Sequence, residues 1–475
     1  MKKIIRVVVC LTLVLSLLAG CSGKTEKTGG GSATPAANSA AKETPKPVTI
    51  KVGIWPQDND EAGKKSWEVY QKNMAAKYPH ITLQPEPYNY APETFIPKAE
   101  SGQVPNIFQT WYTEPSKLIA NGYVADISEM AKKYGYDKGI NPDVLKVVSK
   151  DGKIYGIPRD GYALGLYINM NLFKQAGLVD EKGLPKYPKT FEELAETAKI
   201  IKDKTGKAGM FFPTKDHVGG WHFTALAWCF GAEFEKKVDG KWVSGLDSPE
   251  AIAALQYVKD LKWKYDVLLP NALLSWGDWI KNFGTDQVGM TFAAPDALRN
   301  PVNDYKMSKD AIAMAPIPKG PKGQFSLMGG TTFMFAANNT PEQTDAAFKL
   351  LEVVGRAPNA DPDTMAAFEA DLKDQNSKNY PVGPKPIVIW VNQARLDAED
   401  AIYKKYTNVN MDLFKPYYDT AYKGLRPEEP YSCQDLYGIL DTCLQVVITD
   451  KNADPKELLE KASKEFQTKF LSKVK

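Results

Sequence analysis

Hydrophobic and polar positions in the first third of the chain follow the periods of alternating strands and helices. Residues 48–55 alternate with a period of two and are rich in β-branched side chains, which predicts a strand. We expect a helix at 67–77, a second strand at 81–85, a third strand within 100–111, and a helix from about Pro115. This order of elements predicts an α/β lobe built on a largely parallel sheet.

The next stretch combines turn, strand and helix signals within about fifty residues. Asp151-Gly152 has the backbone freedom that a tight hairpin turn requires, and the apolar residues after it predict a strand. Residues 159–162 interrupt the apolar pattern and predict a polar loop, and residues 163–169 predict a further strand. A capping box that starts at Thr190 then predicts the beginning of a helix.

The alternation continues towards the C-terminal part of the chain. Turn signals, N-cap residues and apolar runs predict a hairpin at 238–243, a helix capped by Ser248, strands at 289–292, 311–318 and 329–335, and a helix capped by Thr340. Residues 358–386 are polar and rich in Pro and Asn, which indicates an insertion or a surface excursion. Its aspartates lack the spacing and the glycine of a calcium loop, so a solvated acidic surface is favoured.

Several of these signals occur in an order that resembles one protein family. The motifs are YGIP at 155–158, LYIN at 166–169, LF and AGL shortly after it, and TFEEL at 190–194. They are similar to the signature of family 1 extracellular solute-binding proteins, the sugar-binding components of ATP-driven importers. The similarity spans roughly residues 46–355 and, more loosely, the segment to Phe470. It implies an α/β, two-lobed periplasmic-binding-protein-like fold, each lobe a mostly parallel sheet flanked by helices, joined by a hinge.

The N-terminus has the pattern of a lipoprotein signal peptide. Three cations precede an apolar core at 7–18, which is too short for the ~20 apolar residues of a membrane span. Leu18-Ala-Gly-Cys21 resembles the bacterial lipobox, which implies a diacylglycerol thioether on Cys21 and cleavage before it. The alternative is a plain secretory peptide with an incidental cysteine. We expect a protein anchored by lipid to the outer face of the cell membrane.

The segment after Cys21 consists mainly of Gly, Ser, Ala, Thr and Pro, so it cannot offset its ordering entropy and predicts a flexible tether. The remaining ~430 residues are too many for one compact core and favour two lobes. We therefore expect a signal peptide at 1–20, a lipidated Cys21 with a tether to 47, an N-terminal lobe at 48–159 plus about 312–357, a C-terminal lobe at 160–311 plus about 387–475, and the insertion at 358–386.

Charge and cysteine content exclude several classes of function. The chain has 60 basic and 57 acidic residues, and loss of the signal peptide with its three cations leaves 57 of each, so no nucleic-acid partner is expected. Ser432-Cys-Gln-Asp435 predicts a capping box that opens a helix. On that helix Cys433 and Cys443 would lie ~15 Å apart, beyond disulfide reach. With three histidines in the whole sequence, we expect no metal site and no cofactor.

Aromatic and polar residues near strand ends are the candidates for ligand binding. Sugars present CH faces, which aromatic rings cover, and hydroxyl rims, which need hydrogen-bond partners. The family places ligand groups after strands and in the inter-lobe loop, which implicates Trp55, Asp58, Trp111, Glu114, Asp160, Tyr162, Trp221, Asp296 and Arg299. Core packing remains the alternative for the rings, and a surface turn for Asp160 and Tyr162. Where relatives have a tryptophan near position 296, this chain has AAPDALR, which weakens any expectation of maltose specificity.

Further aromatic residues are weaker candidates. Trp276, Trp279 and Trp390 extend a groove or pack in the core, and packing is favoured. Tyr431 and Tyr437 lie near the C-terminal helices, and His222 beside Trp221 is a possible hydrogen-bond partner.

The sequence predicts a binding protein with no catalytic residues. We expect a monomer that captures a carbohydrate, an oligosaccharide by preference, and delivers it to ABC permease subunits driven by a separate ATPase. A sugar sensor that reports to a membrane receptor is the first alternative. A secreted glycoside hydrolase is the second, because Glu114, Asp160 and Asp296 could converge as a carboxylate pair. No nucleophile elbow, HExxH or phosphate-loop motif occurs in the sequence.

Overall fold

The computed structural model describes residues 45–58 and 60–474. The predicted signal peptide, Cys21 and most of the tether therefore lie outside the described residues. Within the described part of the chain, no helix is long and apolar enough to cross a membrane.

The strands of the described residues are β1 Val48–Val52, β2 Ile81–Pro85, β3 Ile107–Trp111, β4 Ser149–Lys150, β5 Lys153–Ile154, β6 Gly156–Ala163, β7 Gly165–Asn169, β8 Ala208–Met210, β9 Glu235–Val238, β10 Lys241–Ser244, β11 Val288–Ala293, β12 Ile312–Pro316, β13 Ser326–Phe335 and β14 Leu425–Pro427. The α-helices are α1 Glu61–Lys77, α2 Pro92–Glu100, α3 Pro115–Ala120, α4 Ser128–Lys133, α5 Tyr136–Gly139, α6 Pro142–Leu145, α7 Met170–Gln175, α8 Phe191–Thr205, α9 Val218–Phe230, α10 Pro249–Trp263, α11 Trp276–Gly284, α12 Arg299–Tyr305, α13 Pro341–Val353, α14 Pro362–Ser377, α15 Gln393–Tyr406, α16 Lys415–Thr420, α17 Cys433–Thr449 and α18 Pro455–Lys469.

The two larger sheets form the centres of the two lobes. The first has the order β14-β13-β3-β1-β2, with β6 also paired to β13, and the second has the order β12-β7-β11-β8. In the first sheet β1 runs parallel to β2 and β3, as the alternating pattern predicted. In the second sheet β7 runs antiparallel to both β11 and β12, so the expectation of a mostly parallel sheet is wrong for this lobe.

The exception has a topological cause. Parallel neighbours need a crossover connection, usually a helix, whereas β7 enters the second sheet directly from β6 and β12 leads back towards β13. Strands that carry the chain between the lobes can therefore pair antiparallel with their neighbours. The chain passes between the sheets at β6–β7, at β12–β13, and once more between β14 and α17.

Three expectations about the lobes change. Residues 159–162 are not a loop, because Asp160 and Tyr162 lie within β6 and pair with β13; polar side chains do not prevent a backbone from completing a ladder. The strand at 312–316 pairs with β7 and lies in the second sheet rather than the first. The segment from about 387 packs on the first sheet, since Ile387 N donates to Gly161 O and Trp390 bridges to Ile140.

Most of the turns and helix caps predicted from local sequence are confirmed. Asp151 and Gly152 have φ angles of 52° and 76° in the tight turn between β4 and β5, and Thr340 and Gln343 form a complete capping box. Thr190 caps α8, although Glu193 accepts from the N–H of Lys189 rather than from Thr190.

Two C-terminal expectations need revision. Residues 358–386 contain α14, a full helix capped by Asp361, which turns part of the expected surface excursion into a packed element. Cys433 and Cys443 lie on α17 as predicted, but Ser432 has a φ of 46° and its side chain caps nothing. The capping-box prediction at this position is therefore wrong.

Candidate functional site

Polar residues from both sheets come together between the lobes. Asp160 lies on β6 of the first sheet, and Asp296 follows β11 of the second. The Asp296 side chain is open to solvent, yet protein surrounds it on most sides; this burial, followed by the nearby charge of Asp160, raises its pKa to about 6. A carboxyl group that is open to solvent but surrounded by protein on most sides is expected on the wall of a cleft.

Asp160 is held in place by groups of the first lobe. Its Oδ1 accepts from the backbone N–H of Thr331 at 2.9 Å and from the Thr331 hydroxyl at 2.7 Å. Its Oδ2 accepts from Arg159 Nε at 2.6 Å, while Arg159 Nη1 donates to Gln109 at 2.7 Å. The side chain keeps 32% of its area exposed, so it is fixed in orientation and still accessible.

Tyr162 lies flat against β13 because the strand has no side chain at that point. Gly329 is its register partner, and a Cβ on Gly329 would come within 2.4 Å of the tyrosine ring. Trp221 of α9 meets the Tyr162 ring edge-on at 6.1 Å, with an interplanar angle of 89°. These two rings therefore join the first lobe to the second.

Trp221 belongs to an aromatic group that continues into the second lobe. It lies 6.0 Å from Trp276, which in turn lies 5.2 Å from Trp279. Trp276 is partly exposed, whereas Trp279 is fully buried, so the packing interpretation is correct for Trp279.

His222 does not face the ligand cleft in the way its neighbour does. The imidazole is fully buried among Phe212, Phe292 and Trp221, and neither ring nitrogen has a hydrogen-bond partner. Burial lowers its pKa to about 3, so the ring is neutral. Its role is packing beneath Trp221.

Trp111 and Glu114 occupy opposite environments after β3. The Trp111 ring is 43% exposed and meets Tyr90 edge-on at 5.7 Å. Glu114 is 2% exposed; it accepts hydrogen bonds from Tyr90 Oη and Thr113 Oγ1, and burial raises its pKa. The tryptophan is therefore available to a ligand, while the carboxyl group supports Tyr90 from below.

Trp55 and Asp58 follow β1, as the sequence predicted. Trp55 is partly exposed and packs against Trp67 at 4.5 Å, which continues to Tyr70 at 5.9 Å. Asp58 is exposed. Among the described residues no ring contact or hydrogen bond connects Trp55 with Trp111 or Trp221, so the structure joins only part of the predicted set directly.

Two arginines extend the polar surface of the cleft. Arg299 begins α12, is exposed, and contributes a favourable charge to both Asp296 and Asp371 of α14. Arg356 follows α13 and donates to the backbone carbonyl of Arg159 at 3.2 Å. The sequence analysis named Arg299 and missed Arg356, which has no motif around it.

Glu428 is a second residue that the sequence analysis missed. It is partly exposed and its Oε1 accepts from Tyr437 Oη at 2.8 Å. Its pKa is raised to about 8, chiefly by burial and to a smaller extent by the charge of Glu114, while the hydrogen bond from Tyr437 acts to lower it. The two glutamates at 428 and 429, directly after a strand, were the signal that could have revealed this residue. The strand β14 has only three residues, too few for a recognisable strand pattern in the sequence.

Two open pockets on the surface of the described residues lie elsewhere. One of about 540 Å³ is lined by Trp263 and Ile448, and another of about 400 Å³ lies between Val302 and Tyr380. Neither includes a predicted ligand residue. The candidate site is the surface between the lobes where Asp160, Tyr162, Trp221 and Asp296 converge.

Comparison with known proteins agrees with this architecture. A model of the bacterial extracellular solute-binding protein family matches residues 58–361, and the chain belongs to this family of binding proteins. Its sheets and lobes are those of maltose-binding-like, two-lobed periplasmic binding proteins. The family is extracellular, and its homologues are sugar and glycerophosphate binding proteins of ABC importers rather than enzymes.

Individual relatives are distant. The chain is 24% identical over 349 residues to the sn-glycerol-3-phosphate-binding protein UgpB of Salmonella typhimurium, covering 67% of this chain and 75% of that one. It is 27% identical over 267 residues to the maltodextrin-binding protein MdxE of Bacillus subtilis, covering 55% and 58%. With a Brucella abortus binding protein it shares 29% identity, and there the chain spans about half the length of its relative, 48%.

Solved structures match over almost the whole chain. The GacH receptor of Streptomyces glaucescens, solved with acarbose, has a TM-score of 0.67 at 18% identity, covering 91% of this chain and all of that one. Maltose-bound MalE3 of T. maritima has a TM-score of 0.66 at 18% identity, covering 89% and 99%. At these identities the likeness establishes the fold alone.

Proposed function

We propose that this protein captures a carbohydrate, preferably an oligosaccharide, between its lobes and delivers it to an ABC importer. The observation that carries the proposal is the meeting of Asp160 and Tyr162 of the first lobe with Trp221 and Asp296 of the second. Rings can cover the CH faces of a sugar, and the carboxyl groups can accept from its hydroxyls. Relatives described as binding maltose, acarbose and diacetylchitobiose support this ligand class.

Closure of the lobes is the proposed mechanism of capture. The open form presents the surface of one lobe, and a ligand that also contacts the other lobe favours the closed form by its difference in affinity. The three chain passages between the sheets are the places where a hinge can bend. The closed protein would then dock, as a monomer, on two permease subunits that a separate ATPase drives.

We further propose that a lipid on Cys21 holds the protein at the outer face of the cell membrane. The cysteine lies in a lipobox-like sequence, and a segment rich in Gly, Ser and Ala separates it from the folded body. Such an anchor keeps the binding site near the transporter while the tether lets the body move.

A phosphorylated polyol is the second candidate ligand. Arg299 and Arg356 come from different lobes, and neither makes an ion pair in the described part of the chain. Guanidinium groups bind phosphate oxygens in a bidentate manner. The UgpB relatives, whose name states sn-glycerol 3-phosphate binding, support this alternative.

Calorimetry against a defined panel tests the proposal. The body Lys46–Lys475, which forms a compact unit, is titrated with maltotriose, cellotriose, xylotriose, N,N′-diacetylchitobiose, trigalacturonate and sn-glycerol 3-phosphate. We expect micromolar or tighter binding of at least one oligosaccharide, and chromatography should recover that sugar unchanged. Binding of glycerol 3-phosphate alone would favour the second candidate, and a cleaved sugar would contradict a binding role.

A further inference from the structure

Glu428 lies where the chain passes between the lobes for the third time. It follows β14 of the first sheet and precedes α17, which packs in the second lobe against α9. β14 ends at Pro427, so Glu428 lies just beyond the end of the strand, and its side chain is partly exposed.

Contacts place this carboxyl group beside the ring pair of the cleft. Gly220 packs so closely on α17 that a Cβ there would lie 2.4 Å from the Cα of Tyr437. The hydroxyl of Tyr437 donates to Glu428 Oε1 at 2.8 Å. Glu428 follows Pro427, the register partner of Met328 on β13, so it lies level with Gly329 and the Tyr162 ring that packs there. Among the groups whose charge affects Tyr162, Glu428 acts most strongly, which agrees with this placement.

Glu428 has one oxygen to spare. Its Oε1 is bound to Tyr437, and in the described part of the chain no protein donor reaches its Oε2. No lysine, arginine or histidine of that part forms an ion pair with it, and Glu114 is the acidic neighbour that raises its pKa. Glu114 itself is buried and already bonded to Tyr90, so it does not compete for a ligand.

We propose that Glu428 is a ligand-contacting residue that binds a hydroxyl group of a neutral sugar ring resting on Tyr162 and Trp221. Tyr437 is its positioning residue. Among the described residues no cation pairs with Glu428, so the carboxylate of an acidic sugar ring would have no counter-charge here, and this subsite disfavours such a ring. The inference rests on the proposed carbohydrate function and adds to it the charge class of the sugar.

Neighbouring glutamates allow a matched test. In Glu428→Asp the carboxyl group is kept but withdrawn by one methylene, and in Glu428→Ala it is lost. Glu429→Gln is the control, because Glu429 is buried and accepts from Trp228 Nε1 at 3.1 Å, away from the cleft. Each variant is titrated with the same six compounds, and its melting temperature is recorded.

We expect at least tenfold weaker oligosaccharide binding for Glu428→Ala and at least threefold for Glu428→Asp, with small changes in melting temperature. Glu429→Gln should melt earlier and bind normally. Removing the contacted hydroxyl from the sugar should abolish the effect of Glu428→Ala, as a double-mutant cycle would show.

The outcomes separate the two proposals. If the unchanged protein binds none of the sugars, the carbohydrate function and this inference both fail. If a sugar binds and neither Glu428 variant weakens it, or if trigalacturonate binds more tightly than every neutral sugar, this inference alone is overturned.

Discussion

At the residue scale, exposure separates the tryptophans that can meet a ligand from those that hold the core. Trp111 is 43% exposed, while Trp279 is completely buried between Tyr167 and Phe283. The sequence favoured a ligand role for Trp111 and packing for Trp279 from their placement alone, and it gave no measure of exposure for either ring. Burial follows from the tertiary fold, and it decides which substitution affects binding and which affects stability.

The pair Trp111→Ala and Trp279→Ala tests this distinction. We expect the first to weaken oligosaccharide binding at least tenfold and to leave the melting temperature near its original value. The second removes a fully packed ring, which costs on the order of 3–5 kcal/mol of unfolding free energy. Calorimetry and thermal unfolding of both variants check this, and a large loss of stability in Trp111→Ala with unchanged affinity would assign that ring to the core.

A buried carboxyl group makes stability depend on pH. Burial, and then the charge of Glu429, raise the pKa of Glu235 to about 9, and its Oε1 has no hydrogen-bond partner. Above the ordinary pKa near 4.5 the unfolded chain releases this proton while the folded protein keeps it. The unfolding free energy contributed by Glu235 therefore falls as pH rises from about 4.5 to about 9.

Glu235→Gln removes this dependence. The variant should gain stability relative to the unchanged protein as pH rises from 5 to 8, by at most about 1.4 kcal/mol per pH unit. Thermal unfolding at several pH values measures it, with the exposed Glu181→Gln as control. Parallel curves for the unchanged protein and Glu235→Gln would show that Glu235 is ionised in the folded state.

At the element scale, the central strand β13 connects the fold to the site. It pairs with β3, β6 and β14, and its glycines let rings from other elements approach its backbone. Gly329 leaves room for Tyr162, and Gly330 for Tyr112. The double glycine was recognisable in the sequence, but the ring that it accommodates comes from β6, more than 160 residues earlier.

Gly329→Ala should change binding more than folding. The new methyl group would lie 2.4 Å from three outer atoms of the Tyr162 side chain, so the ring must shift from its position on β13. We expect roughly threefold to tenfold weaker sugar binding and a modest loss of stability. Gly277→Ala is the control, since nothing lies within 4 Å of a Cβ there. Normal affinity in Gly329→Ala would mean that the position of Tyr162 does not matter to the ligand.

At the scale of the whole molecule, the proposed anchor and the binding body are separate in sequence. The lipobox-like segment precedes the compact unit Lys46–Lys475, with a stretch rich in Gly, Ser and Ala between them. Cys21→Ala should therefore release the protein from the membrane fraction into the medium and leave sugar affinity unchanged. Fractionation and calorimetry of the released protein check both halves, and a variant that stays in the membrane fraction would contradict anchoring through this cysteine.

Local chemistry in the sequence determined most of the elements. Caps such as Thr340, the turn at Asp151, and the apolar periods predicted where helices and strands begin, because these depend on residues within one or two turns of each other. The family and its two-lobed fold were also recognisable, because their motifs recur in a fixed order along the chain.

Long-range packing decided what the sequence left open. Residues 159–162 have the composition of a loop, and only the hydrogen bonds of β13 make them a strand. Long-range packing likewise buried Glu114, left Trp111 exposed and, through the pairing of β14 with β13, brought Glu428 level with Tyr162. Burial and convergence depend on residues hundreds of positions apart, which no local pattern records, so the site became visible only with the tertiary structure.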